Sequence, residues 1–380
     1  MNRKKILEAA ETILPYATDI REYFHRNPEL SFREHKTAEF IEKELTNAGI
    51  SFVRAGKTGV VASVRGERKQ DHRILALRSD MDALPVREES QVSYRSLNSN
   101  MHACGHDMHM AMLLAAGRVL HENREQLRGT VKLVFQPAEE TGEGADAIIA
   151  SGEVCDVDCI LALHMNPKEE TGIFHTGYGV RTSSGICADI TITGETNRIV
   201  ICAAELLQII GERAKALIGR ENVPYSFVPT VVKMSGDTQV RIFYDGRIFR
   251  EEDGGSLTEI ISNTADLLQG LYQVKTDCKF IRIGGAVEND GESVDRAAMV
   301  IRELFGEKAL QITPPARFGE DFRQYGAVIP RLIFSMLGGA GSKERYPLHS
   351  SRVTFSNEAL FYGIAYYLGY VERYFEEEES

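Results

Sequence analysis

A chain of 380 residues is too long for one ordinary hydrophobic core and sets an expectation of two domains. Hydrophobic residues at 43% and charged residues at 26% describe a folded globular protein, and no apolar run approaches the roughly 20 residues of a membrane span. The net charge of −11 lacks the basic balance of a nucleic-acid binder, so neither membrane nor nucleic acid is an expected partner.

The basic start, Met1 to Lys5, runs into an amphipathic helix pattern containing Glu8 and Glu11 instead of a signal-peptide apolar core, which predicts a cytoplasmic protein. Apolar residues keep helical spacing from residue 6 to residue 48, and Asn27-Pro28 divides them into two helices. Short apolar runs then alternate with helical segments. Residues 60–64 and 74–77 predict strands, 110–120 a helix, and 131–135 and 160–163 strands again. Alternation of this kind predicts an α/β layer architecture.

Near residue 179 the texture changes. A strand at 186–193, a helix at 199–218, strands at 229–234 and 239–244, a helix at 256–271 and a strand at 276–283 give the order β-α-β-β-α-β. That is a ferredoxin-like split unit, inserted into the α/β pattern. After Asn289-Asp290 the α/β texture returns and ends in a helix near 358–375 and a solvated acidic tail at 376–379. The expected domains are 1–182 and 288–380 as two parts of one α/β domain, with 183–287 between them.

The six cysteines, Cys104, Cys155, Cys159, Cys187, Cys202 and Cys278, are scattered through the chain, unlike the disulfide framework of a short secreted protein. Cys155 and Cys159 form one pair of knuckle-like spacing, but no second pair accompanies it, so a packing role is expected. The densest chemistry is the run Met101-His-Ala-Cys-Gly-His-Asp-Met-His109. It can be a polar helix entry, yet three of the chain's ten histidines within eight positions favour metal ligation. Cys104 and His106, two apart on an extended segment, point the same way, and thiolate with imidazole suits zinc, manganese, cobalt or nickel to differing degrees. Glu139 and Glu140 follow an apolar strand, where α/β sheets place ligand sites; one can ligate while the other acts as general base. Alone, the pair reads equally well as a solvated acidic turn. His164, after another apolar run, and His349, in Pro347-Leu-His-Ser350, carry weight only in combination.

Several segments together carry a resemblance: Phe24-His-Arg-Asn-Pro-Glu-Leu-Ser-Phe32, Leu77-Arg-Ser-Asp-Met-Asp-Ala-Leu-Pro85, the 102–109 run, 135–140, Leu163-His164, Gly319-Glu-Asp-Phe322 and 347–350. The chain resembles the aminoacylase/carboxypeptidase family of dinuclear metallohydrolases, in its branch of hippurate, N-acyl-amino-acid and indoleacetyl-amino-acid hydrolases. The resemblance covers residues 1 to about 180 and 290 to 380. It implies a metallopeptidase-like catalytic domain with an inserted lid domain, and two divalent ions held by Cys104, His106, Glu140, His164 and His349, with Cys104 as a bridging thiolate. It makes Glu139 the general base and Asp82 an orienting carboxylate. Asp80 falls where related carboxypeptidases carry a ligand histidine, which accounts for the need for Cys104. The implied reaction is hydrolysis of the amide of a small N-acyl amino acid by activated water. The alternatives are a dipeptidase on the same site, or a metal-binding homologue with little turnover. The lid is also a candidate surface for a homodimer.

The insert departs from the family pattern. Relatives carry a histidine in the turn after the first lid strand, where this chain reads Thr193-Gly-Glu-Thr-Asn-Arg198. Arg198 is thus a candidate oxyanion donor, or a solvated turn residue. Arg247 and Arg250 can clamp a substrate carboxylate, but surface charge on a lid strand is the simpler reading.

Overall fold

Asn2 caps the first helix by accepting from the Lys5 amide, and the helix, α1 (Arg3–Arg26), stops just before Pro28, which disfavours helical backbone at the residue before it. The computed structural model describes residues 1–68, 71–218, 226–283 and 285–376; the expected acidic tail lies, from residue 377 on, outside them. The first stretch continues with α2 (His35–Ala48), β1 (Ser51–Ala55), β2 (Gly59–Arg65), β3 (Ile74–Asp80), α3 (His106–Glu122), β4 (Thr130–Gln136), α4 (Gly144–Ala150), β5 (Cys159–Asn166), β6 (Phe174–Thr176) and the short β7 (Gly179–Val180). The middle stretch is β8 (Ser184–Thr193), α5 (Thr196–Ile218), β9 (Ser226–Ser235), β10 (Gln239–Ile248), α6 (Glu251–Tyr272) and β11 (Lys275–Ile283). The return carries the short β12 (Glu288–Asn289), then α7 (Gly291–Phe305), β13 (Leu310–Ile312), β14 (Arg331–Gly338) and α8 (Glu358–Glu376).

Backbone contacts divide the chain into two units. One is Met1–Gly179 with Glu288–Thr313 and Gln324–Ser380; the other is Val180–Val287 with Pro314–Arg323. The first unit is built on an eight-stranded sheet of order β1-β2-β4-β3-β5-β14-β6-β13. Strands β4, β3, β5 and β14 are mutually parallel, so their carboxyl ends lie along one edge. These four are buried over most of their length, as strands covered on both faces must be. Helix α3 is buried nearly all round and packs on α1 and α8. At Gly117 a Cβ would meet Leu133 Cδ1 at 2.3 Å, so the missing side chain lets α3 lie close on β4.

The second unit has its own core, in which Ile186, Ile190 and Ile192 of β8 pack with Leu206 and Ile210 of α5 and Ile261 of α6. Its sheet order is β11-β8-β10-β9, antiparallel throughout, with a bulge between Phe243 and Tyr244. The α/β class and the β-α-β-β-α-β order expected from the sequence are both observed. Strands β1 and β14 and helices α4 and α7 were not distinguished in the sequence. No helix among the described residues is long and apolar enough to cross a membrane.

Candidate metal centre

Each parallel strand delivers chemistry at its carboxyl end. Strand β3 ends on Asp80 and is followed by Asp82, β4 is followed by Glu139 and Glu140, and β5 carries His164 near its end. The long connection after β14 carries His349, and Cys104 and His106 stand at the start of α3. Three backbone turns at these positions are left-handed: Gly105 (φ 94°), Ala138 (φ 52°) and His349 (φ 66°). Gly105 meets the sterics of its turn without a Cβ, which would touch Phe355 Cζ at 3.0 Å. Ala138 and His349 hold a conformation that L side chains disfavour, which surrounding contacts must enforce. Ala138 N–H donates to Glu34 Oε1 at 2.9 Å, and His349 N–H to the Ala103 carbonyl at 3.0 Å.

All five residues expected to hold metal come together in the first unit. Cys104, His106 and His164 offer ligand atoms within 4.8 Å of one another, and so do Cys104, Glu140 and His349. Cys104 Sγ lies 3.4 Å from His164 Nε2, and Glu140 Oε2 lies 3.6 Å from His349 Nε2. The histidine tautomers are set from behind. His106 Nδ1–H donates to the Asp82 carbonyl and His164 Nδ1–H to the Met165 carbonyl, each at 2.8 Å, so both rings turn Nε2 toward the cluster. His106 Nε2 and Glu140 Oε1 are buried without a hydrogen-bond partner among the described residues. Buried polar atoms left in this way are what a cation would satisfy, so the residues present fit a metal.

Asp80, His106 and His109 also cluster. Both nitrogens of His109 are engaged, however: Nδ1 faces Asp80 Oδ1 at 2.5 Å and Nε2 accepts from the Met165 amide at 2.9 Å. Asp80 is further held by Arg78 at 2.8 Å. His102 is buried, and burial lowers its pKa to about 4. Of the three histidines in the 102–109 run, His106 alone presents a ring nitrogen to the Cys104 cluster.

The Asp82 carboxylate accepts from the Glu139 and Glu140 amides, each at 3.1 Å, and from Ser31 Oγ at 2.7 Å. Together with Glu34 it fixes three successive amides, from Ala138 to Glu140. Sequence reasoning missed Glu34, Ser31, Arg78 and His109 as supports. Their signal exists only in three dimensions, since nothing in the local sequence pairs Glu34 with Ala138.

The charges show what the cluster lacks. Burial disfavours protonated His106, yet Asp80, Asp82 and Glu140 outweigh burial and raise it to about 10. Burial, with the nearby Asp82 and Asp80, raises Glu140 to about 7 against the opposing pull of His106. At neutral pH the metal-free centre therefore holds the His106 proton and a share of the Glu140 proton. A metal needs both groups deprotonated, so metal uptake at pH 7 is expected to release protons, and apparent affinity to fall as pH drops below about 10 and more steeply below about 7. Calorimetry in buffers of different ionisation enthalpy checks this; uptake without proton release would show a neutral His106 in the metal-free protein.

In the second unit, Arg198 is 42% exposed, pairs with Glu195 at 3.0 Å and donates to Gln273 Oε1 at 2.8 Å. Arg247 pairs with Asp245 at 3.5 Å and Arg250 with Asp253 at 3.1 Å. Cys159 is buried within hydrogen-bonding range of Ser293 and Tyr370, while Cys155 is exposed.

A profile of the peptidase family M20/M25/M40 matches residues 76–373. The chain belongs to this family. It is a metal-dependent amidohydrolase or peptidase, as members of the M20 family are. An IAA-amino acid hydrolase of Arabidopsis thaliana is 30% identical over 406 residues, 99% of this chain and 89% of its own. An N-acetylcysteine deacetylase of Bacillus subtilis is 28% identical over 365 residues, 92% of this chain and 94% of its own. The solved structure of a dinuclear metal-binding M20 peptidase of Bacillus subtilis matches with a TM-score of 0.81 and 26% identity, covering 95% of this chain and 98% of its own.

Proposed function

We propose that this M20-family hydrolase cleaves the amide bond of small N-acyl amino acids, using two divalent ions, zinc or manganese, held by Cys104, His106, Glu140, His164 and His349. One observation carries the reading: Cys104 belongs both to the group with His106 and His164 and to the group with Glu140 and His349, so a single thiolate could serve two ions. The names of the Arabidopsis and Bacillus relatives, both acting on acylated amino acids, support the substrate class. When bound, such ions acidify a water and polarise the scissile carbonyl. Glu139 is placed to take a proton from the attacking water and to return it to the departing amine, while Asp82 holds the Glu139 and Glu140 amides in register. A panel of N-acyl amino acids and dipeptides, offered to zinc- or manganese-loaded protein, tests this. Turnover of dipeptides alone would make it a dipeptidase. No turnover with metal in place would leave a metal-binding homologue.

The second unit, spanning 183–287 in the sequence reading, is proposed to act as a lid. Arg198→Ala is expected to lower kcat more than it raises KM, as for a group acting in the transition state. The structure places Arg198 in the first turn of helix α5 and not in the loop expected from the sequence, and wild-type kinetics would leave it a solvent-facing helix residue bound to Glu195 and Gln273. The lid is also the proposed homodimer surface. Its edge strand β9 exposes Val228, Val231, Val232 and Met234, and an exposed apolar edge favours pairing with another chain. Light scattering should give the mass of a dimer; a monomer at all concentrations would remove that proposal. We place the protein in the cytoplasm, a reading supported by six cysteines that form no disulfide among the described residues.

A further inference from the structure

Asp107 follows His106 in the first turn of α3, and its side chain is fully buried. Its Oδ2 accepts from Arg21 Nε at 2.8 Å and from His25 Nδ1 at 2.9 Å, both from α1 and both buried. The other ring nitrogen of His25, Nε2, faces Glu88 Oε1 at 3.1 Å. A neutral imidazole has one N–H and can serve only one of two carboxylates; the imidazolium serves both. The ring of Tyr94 meets His25 edge-on at 5.3 Å and stacks under the Arg21 guanidinium at 4.4 Å. Burial and Arg21 disfavour the imidazolium, but Asp107 and Glu88 outweigh them and raise it above the ordinary imidazole range.

Glu88 passes the constraint outward. Its Oε2 accepts from the Ser96 amide at 2.6 Å and its Oε1 from the Ser90 hydroxyl, so one carboxylate gathers residues 88–96. The next residue, Glu89, crosses to the turn that carries His349. Its amide donates to the Ser351 carbonyl at 2.7 Å, and its Oε2 accepts from Ser351 Oγ at 2.9 Å and Arg352 Nε at 3.2 Å. His349 needs such support, because its side chain is 53% exposed and its backbone is left-handed.

We propose that His25 is a positioning residue that ties the Cys104–His106 turn to the His349 turn, through Asp107 on one side and Glu88–Glu89 on the other. The proposal rests on the reading of those turns as metal-holding. Removing the His25 cation leaves Asp107 still anchored by Arg21, so the Cys104–His106 turn keeps its seat. Glu88 loses its buried partner, and the slack falls on the His349 side. The effect is therefore unequal between the two ions.

Zinc-loaded wild type and His25→Gln, as full chains, are to be compared by chelator titration with metal counted per chain. The variant is expected to release its first ion at about tenfold lower chelator concentration and its second ion almost unchanged, in the range typical of outer-shell changes. Equal weakening of both ions would indicate general loss of structure and overturn the proposal, as would unchanged retention. Should His25→Gln fail to fold, Glu89→Gln gives the same comparison from the His349 side. Independently, nitrogen NMR of wild type across a pH series should show the His25 ring losing its proton only above the ordinary imidazole range; a ring that is neutral within that range would overturn the tie. Wild type that binds no zinc would overturn the metal reading itself, and that is seen before any variant is made.

Discussion

Glu139→Gln is expected to keep its metal and lose turnover by roughly 10²–10⁴, the range of a general base. Glutamine matches glutamate in shape and cannot take a proton. The two adjacent glutamates differ in their surroundings. Glu140 Oε1 lies 3.9 Å from His106 Nε2 and its Oε2 lies 3.6 Å from His349 Nε2, so it reaches both sides of the cluster. Glu139 Oε2 lies 3.9 Å from His106 Nε2 and does not share the group with Cys104 and His349. The backbone of both is held by Asp82, so the exchange of one side chain leaves the turn in place. Glu140→Gln should lose metal instead. Steady-state kinetics with metal analysis on the two variants decides the matter, and the reverse pattern would exchange their roles.

Cys104→Ala is expected to lose at least one of two ions per chain. Its sulfur is the only ligand atom common to the His106–His164 group and the Glu140–His349 group among the described residues. Removing it takes a ligand from both at once, whereas loss of His164 or His349 touches one group. The side chain is small and buried, and alanine leaves the adjacent Gly105 free to keep its left-handed turn. Retained structure can therefore be checked by circular dichroism while metal is counted by elemental analysis. A variant with unchanged metal content would take Cys104 out of the centre.

Local chemistry made much of this protein legible before folding. Apolar periodicity marks β3, β4, β5 and α3, because a strand covered on both faces and a helix buried all round leave little room for polar side chains. The order of the inserted unit was visible for the same reason: its elements are long and separated by turns. Density of histidine and cysteine singled out 102–109, and strand ends pointed to Glu139, Glu140 and His164. Shorter elements such as β1 and α4 escaped, since a few residues carry too little periodicity to register.

What only the tertiary structure decided concerns partners distant in sequence. The parallel order β4-β3-β5-β14 brings residues 104 to 349 to one edge, and no spacing along the chain encodes that order. It also sorts three histidines that look alike in sequence. His106 donates Nδ1–H to a backbone carbonyl and turns Nε2 to the cluster, His109 spends both nitrogens on Asp80 and Met165, and His25 meets a carboxylate from a different segment at each ring nitrogen, which favours its protonated form. A side chain's type is written in the sequence. Its protonation and role depend on the buried groups around it, and in this chain those arrive from tens to hundreds of residues away.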